Sequence, residues 1–109
     1  MLTKTGIRIR GIGENGGFRH LTNSKRPVLK GLKIRTMEHA GHMAIMNSLG
    51  ASATPMPWSD LYTSLQTRVV DGQENSLSLI NNGKLYEVQS YVTMTGHVYS
   101  IDFVLVNEK

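Results

Sequence analysis

Pro55 and Pro57 bracket Met56 in the stretch ATPMPWSDLYTSLQTRVVDGQEN, residues 53–75, and no other feature constrains the chain as strongly. Proline fixes φ and lacks a backbone donor, so an extended run must end there. The residues beyond Pro57 have helical spacing. Trp58, Leu61, Tyr62, Leu65 and Val69 recur at i, i+3, i+4, i+7 and i+11, one apolar helical face. Ser59 and Asp60 offer N-terminal caps, and Asp60 adds negative charge where the helix dipole favours it. Asp71-Gly72 reads as the stop. Gln73, Glu74 and Asn75 then form a hydrogen-bonding cluster just past a helix end, which suits the rim of a binding site.

The rest of the chain alternates extended and helical patterns. Residues 6–12, GIRIRGI, read as a strand with one buried face. Gly11 to Gly16 fits G-x-G-x-x-G, but the polar, basic GFRHLTNSKRP after it lacks helical spacing, so a glycine-rich turn is expected rather than a dinucleotide site. Residues 18–24 form a second extended segment carrying Arg19, and 24–27 a loop. Residues 32–36, LKIRT, make a short strand that delivers Arg35 to its end. A helix over 39–49 turns Ala40, Met43, Ala44 and Met46 inward and stops at Gly50. After an extended piece at 51–56 and the helix above, Gln73–Asn75 enter a strand or turn. Leu77, Leu79 and Ile80 make an apolar patch before the Asn81-Asn82-Gly83 turn. Residues 84–89 form a helical stretch with Leu85 and Val88 inward. Residues 90–95 and 97–106 are strands rich in β-branched and aromatic residues. Strands alternating with helices imply an α/β fold, a mostly parallel sheet with helices packed on it.

At 109 residues the chain holds at most one domain with a modest core. It has no cysteine, hence no disulfide and no thiolate metal site. The opening MLTKTGIRIR lacks the apolar core of a signal peptide, and no apolar run approaches membrane-spanning length. Charge is unevenly placed. Residues 1–35 hold nine Lys or Arg against Glu14 alone, whereas residues 36–109 hold three against seven acids. A basic half can attract nucleic acid, an acidic membrane or a small anion. Phe18 is its one aromatic residue, so it lacks the stacking platforms of a nucleic-acid surface.

Nucleophilic catalysis has little to work with, since there is no G-x-S-x-G and no Ser/His/Asp set identifiable by spacing. Carboxylates at 60, 71 and 74 are candidates for an acid–base pair, although Asp60 and Asp71 read as helix-end residues. His39 and His42 stand at the i, i+3 spacing of a zinc pair, but no further ligand is near in sequence, so exposed helix histidines are expected. Lys25, Arg26, Lys30 and Lys33 read as solvated surface. Arg35 is the better prospect. A guanidinium matches a carboxylate through two parallel hydrogen bonds, and open sheets place ligands at the C-terminal ends of strands. Spacing alone does not decide between that role and a surface salt bridge.

The run TPMPWSDLYTSLQTRVVDGQEN, with GLKIRT at 31–36, SLGASATPM at 48–56, KLYEVQSYVTMTGHVYS at 84–100 and, more weakly, ENGGFRHLTNSKRP at 14–27, resembles the substrate-binding proteins of tripartite ATP-independent periplasmic (TRAP) transporters. The resemblance covers essentially the whole chain but only the middle of a longer family member. It implies a two-lobed type II periplasmic-binding-protein fold, of which residues 1–109 are a partial domain, mostly one lobe with a mixed, largely parallel sheet flanked by helices. It also implies capture of an organic acid (a C4-dicarboxylate, keto acid or sugar acid) in the periplasm and delivery to TRAP membrane subunits, with no cofactor and no nucleic acid. By the same resemblance Arg35 anchors the ligand carboxylate and Arg19 is a second arginine near it. Asn75 hydrogen-bonds the ligand and Trp58 packs on it. Glu38 stands where some relatives have a neutral polar contact. Ser76 replaces a usual proline, Gly13 a usual aromatic, and the connector between Pro27 and Gly31 is short. The rival readings are a receptor's sensing domain, an enzyme using Asp60, Asp71 or Glu74, and a basic nucleic-acid binder.

Overall fold

The structure, a computed structural model, describes residues 5–25 and 29–108. In chain order it runs β1 (Ile7–Asn23), β2 (Lys33–Thr36), α1 (Ala40–Ser48), β3 (Ser52–Pro55), a 3₁₀ turn (Trp58–Asp60) and α2 (Leu61–Gln66). β4 (Gly72–Ser76), α3 (Leu77–Asn82), a second 3₁₀ turn (Leu85–Glu87) and β5 (Tyr91–Asn107) complete it. The strands form one mixed sheet in the order β3-β2-β4-β1-β5. β2 pairs parallel with β3 and β4, while β1 pairs antiparallel with β4 and β5. Parallel pairing is therefore confined to one side of the sheet.

β4 is buried at all five positions. A strand without an exposed position needs cover on both faces, and two apolar clusters supply it. Leu21, Ile34 and Leu32 pack with Met46 of α1 and with Ala51. Leu61 and Leu65 of α2 pack with Val70, Ile80 of α3 and Leu85. Beyond Arg19, toward the N-terminus, β1 has only β5 as partner, and the two run on as a ribbon that helps stretch the molecule to 50 Å. Ile9, Ile12, Ile101, Phe103 and Leu105 lie exposed on that ribbon.

Several expectations change. The glycine-rich run makes no turn. It lies inside β1, where the β1–β5 register shifts between Ile9 and Gly11 and between Glu14 and Gly17, so its glycines serve bulges. The helix expected from Trp58 to Val69 is a 3₁₀ turn followed by only six α-helical residues. Leu61 and Leu65 are buried as the spacing requires, but Trp58 and Val69 project into solvent. The stop comes earlier than Asp71-Gly72. Arg68 takes a left-handed conformation at φ 62°, and Val69 N and Val70 N both donate to Ser64 O. Neither Ser59 nor Asp60 makes a side-chain capping bond. Gly72 belongs to β4, where a Cβ would stand 2.2 Å from Thr22 O, so close passage of β1 demands glycine. The patch at Leu77–Ile80 is the body of α3. The last two expected strands are one, β5. In α1, Ala40 and Ala44 are exposed, and Met46, with half-buried Ile45, faces the core. Of the short connector, Arg26, Pro27 and Val28 lie outside the described residues.

Candidate functional site

β2 alternates as a strand must. Ile34 enters the core beside α1, and Arg35 points the other way. There its Nε donates to Met56 O at 3.0 Å, just after the Pro55 stop that ends β3. Its guanidinium carbon sits 5.9 Å from the centre of the Trp58 ring, at the outer reach of a cation–π contact. Arg35 is 3% exposed, yet its Nη1 has no hydrogen-bond partner among the described residues. Burial lowers its pKa from the usual arginine value. Glu74 and Glu38 oppose the shift and Arg19 adds to it.

Arg35 faces a cavity of about 270 Å³. Its polar lining is Arg19, Arg35, Asn75 and Asn15, and its apolar lining is Met37, Trp58 and Leu79. Four of the five residues singled out in the sequence thus meet at one hollow. Glu38 does not line it and lies exposed on the surface. Asn15, Met37 and Leu79 were not anticipated. Asn15 arrives through the β1 bulge at Glu14–Gly17. That bulge requires Gly16, whose φ is +76° and whose added Cβ would collide with Ser76 Oγ at 2.1 Å.

Beside this cavity lies a buried ionic cluster that the sequence did not disclose. Gln73–Asn75 lie inside β4; Asn75 lines the hollow and Glu74 is fully buried. Arg19, on the adjacent β1, grips it side-on. Nε donates to Oε2 at 2.6 Å and Nη2 to Oε1 at 2.8 Å, with a further bond from Nη2 to Glu74 O at 3.1 Å. Arg19 Nη1 donates to Ser100 Oγ at 3.2 Å. His97 stands 3.0 Å from Glu74 Oε2 through Nε2. An ionised carboxylate only accepts, so that nitrogen carries a proton, and Nδ1 meets Thr95 Oγ1 at 2.6 Å. A wide register shift in the β1–β5 pairing, between Arg19/Val98 and Leu21/Thr93, contains His97 and turns it inward. His42 of α1, expected on the surface, is largely buried with Nδ1 3.4 Å from Glu74 Oε1, near enough for charge attraction but unaligned for a hydrogen bond. Burial pushes the Glu74 carboxyl up, but hydrogen bonds from His97 and Arg19 and the neighbouring positive charges outweigh it and hold Glu74 below its usual range. Burial likewise lowers the His42 pKa, only partly offset by Glu74.

This arrangement speaks against two rivals. Glu74 is anionic with both oxygens occupied, which leaves it poorly suited to proton transfer, and neither Asp60 nor Asp71 lines the cavity. The basic half is partly neutralised from within. Arg8 and Arg10 both pair with Glu108, at 2.6 and 2.7 Å, Lys25 pairs with Asp71 at 2.9 Å, and Arg19 pairs with Glu74. A larger hollow of about 400 Å³ lies elsewhere, between Tyr62, Gln66, Arg68, Glu87 and Gln89. It gathers none of the singled-out residues, and two of its polar groups satisfy each other, Tyr62 Oη donating to Glu87 at 2.8 Å.

Comparison with known proteins agrees on one relationship. The family model DctP, bacterial extracellular solute-binding protein, family 7, matches residues 1–109. The chain is 48% identical over 108 residues to a solute-binding protein of Verminephrobacter eiseniae (strain EF01-2), covering 94% of this chain and 32% of the relative. It is 39% identical over 108 residues to the 2,3-diketo-L-gulonate-binding periplasmic protein YiaO of Escherichia coli (strain K12), covering 94% and 33%. Among solved structures, a TRAP periplasmic solute binding protein from Ralstonia eutropha H16 with bound (S)-2-acetolactate superposes with a TM-score of 0.89 at 38% identity, over 98% of this chain and 36% of that one. The chain spans about a third of the length of the curated relatives it matches.

Proposed function

The chain belongs to family 7 of the bacterial extracellular solute-binding proteins, and from that premise we propose that residues 1–109 supply most of one lobe of a two-lobed binder that captures a small organic acid. The observation that carries this reading is Arg35, a buried cation whose Nη1 has no partner among the described residues, at the wall of a cavity. A desolvated guanidinium without a counter-ion is costly as it stands, and a ligand carboxylate is the group that completes it. In this role Arg35 is the anchor. Asn75 and Asn15 offer hydrogen bonds around it, and Trp58, Met37 and Leu79 form the surface on which the ligand's carbon body lies. Arg19 takes no direct share of the ligand's charge, because Glu74 already holds it. Its part is to fix the wall. Glu38, at the surface, modulates the field at Arg35 rather than touching the ligand.

The matched relatives are named as solute-binding proteins, and this reading is transport rather than catalysis. The periplasmic names of YiaO and of the Ralstonia protein support a periplasmic location, and the TRAP name supports handover to membrane subunits for uptake driven by an ion gradient. Their ligands, a diketo sugar acid and a hydroxy-keto acid, support a small carboxylate as cargo. Removing one partner of a buried charge pair costs roughly 2–5 kcal/mol. Arg35→Ala, in the longest natural chain that contains these residues, should therefore weaken binding of the cognate acid about thirtyfold or more. Near-unchanged affinity by calorimetry overturns the assignment.

A further inference from the structure

We infer that Asn15 is a site of spontaneous covalent modification: its side-chain amide closes on the Gly16 nitrogen, loses ammonia and leaves an acid in its place. Asn-Gly is the pair best suited to this chemistry. Glycine puts no side chain in the path of its own nitrogen and lets the backbone turn toward the amide. The chain contains two such pairs, Asn15-Gly16 and Asn82-Gly83, and the fold treats them in opposite ways.

Asn82 ends α3. Gly83 N donates to Leu79 O at 2.9 Å, its φ is −80°, and a Cβ there would stand 2.8 Å from Trp58 Cζ2. That nitrogen is engaged and packed under the indole, so it can attack only after the helix end opens. Asn15-Gly16 lies instead in the two-strand ribbon. The β1–β5 register passes from Glu14↔Ile101 directly to Gly17↔Ser100, so both residues of the pair are the extra ones of the bulge and neither pairs with a β5 residue. Pairing of β1 with β4 begins only at Arg19. The fold also preserves the labile pair. Gly16 has φ +76° and leaves no room for a Cβ beside Ser76 Oγ, so the bulge demands the residue type that makes Asn15 reactive. Asn23, Asn47 and Asn75 each precede a serine, whose side chain hinders the attack. Asn47 Oδ1 is further tied to Ala53 N at 3.0 Å.

The reaction needs only water. The Gly16 nitrogen forms a bond to Asn15 Cγ as the Cγ–Nδ2 bond breaks, and the Gly16 proton leaves with the side-chain nitrogen as ammonia. Water then opens the cyclic imide at either carbonyl. One opening gives aspartate, and the other gives isoaspartate, with the main chain routed through the side-chain carbon. Because the ladder already skips these residues, the bulge can take the longer backbone without losing a pair. Either product carries a negative charge that asparagine lacks, on β1 where Asn15 meets the hollow.

The test is a timed incubation, in mildly alkaline buffer, of the longest natural chain that contains these residues. Proteolysis and peptide mass mapping then separate asparagine, aspartate and isoaspartate at each position. A parallel incubation in denaturant gives each pair its own rate without the fold. Measured against those rates, folding should slow Asn82 at least ~tenfold more than Asn15. Equal slowing of the two pairs, or stronger slowing at Asn15, overturns the inference. Isoelectric focusing gives an independent arm. The acidic band that accumulates with time should disappear in Asn15→Gln and persist in Asn82→Gln, and the reverse pattern overturns the assignment. If Asn15→Gln does not fold, the wild-type mass map alone decides.

Discussion

Arg19 and Arg35 reach the same hollow from strands on either side of β4, β1 for one and β2 for the other, and they are held in opposite ways. Arg19 is saturated. Four donor contacts bind it to Glu74 and Ser100, and the carboxylate it holds is itself supported by His97 and flanked by His42. Arg35 is equally hidden from water, but among the described residues it is fixed through Nε alone and has no counter-ion in contact. The first arrangement places a cation rigidly and cancels its charge. The second leaves a charge to be completed by something else. Burial alone therefore does not distinguish the two arginines; what separates them is the number of hydrogen-bonding edges still open among the described residues.

That contrast can be broken most forcefully at Arg19. Arg19→Met strands the Glu74 carboxylate in the interior, and stability measured by denaturant titration should fall by about 3–5 kcal/mol. The double variant Arg19→Met with Glu74→Met should recover most of that loss, since a buried pair replaced by apolar groups is often near neutral. A double variant as unstable as the single one would mean that packing, not charge, is what Arg19 supplies.

Acid should act on the same cluster with a definite sign. The folded-state pKa of Glu74 lies below its ordinary 4.5, so its contribution is present above that value and is lost as pH falls through the lower folded pKa. His42 is also depressed, from 6.5, so the unfolded chain takes up that proton first, and stability should begin to decline below about 6.5. Thermal melts from pH 8 to pH 3 should show a shallow fall and then a steeper one. In His42→Gln the upper part should disappear while the lower part remains.

Arg35→Met should differ sharply from Arg19→Met. It removes one hydrogen bond and relieves one unpaired buried charge, so stability should change by no more than about 1 kcal/mol in either direction even as ligand binding is lost. A loss as large as that at Arg19 would erase the distinction between the two arginines. The smallest effect belongs to Arg68, in neither arrangement, and sets the scale. Its left-handed backbone costs about 1–2 kcal/mol, and Gly gives back about 0.5–1 in chain entropy. Arg68→Gly should therefore gain roughly 0.5 kcal/mol in the same titration.

How much of this could be read beforehand depended on how far apart in sequence the cooperating residues lie. Arg35 at the end of a short strand, Asn75 after Asp71-Gly72, and the Pro55 stop are local signals, and the structure brings their residues to one cavity. Helical spacing misled where it was carried past the end of its helix. Leu61 and Leu65 fall within α2, whereas Trp58 and Val69 share their phase but not their helix, and lie exposed. That freed Trp58 to face the hollow. Glu74 looked like one member of a polar cluster because its partner is 55 residues away and becomes adjacent only through the β1–β4 register. His97 was equally hidden, since its direction depends on a register shift between β1 and β5. The glycines at 11–16 signalled backbone freedom correctly, but propensity does not separate a turn from a bulge when the partners, Val104 for Gly11 and Asp102 for Gly13, lie so far downstream.

The position of β1 in the sheet also sets an order of assembly. Within residues 1–109 β1 comes before the other strands, yet its neighbours are β4 and β5, and its outer end closes on Glu108 through an Arg10 contact spanning 98 residues. Pairings this remote carry a large loop-closure cost and slow folding. β2, β3 and α1 can associate from contacts close in sequence, whereas Arg19 waits for Glu74 to be made and the ribbon waits for residue 107. β2 can thus be in place before the cation on the opposite wall has a partner, and the nascent chain carries an unpaired arginine on an unfinished edge until β4 arrives to cover it.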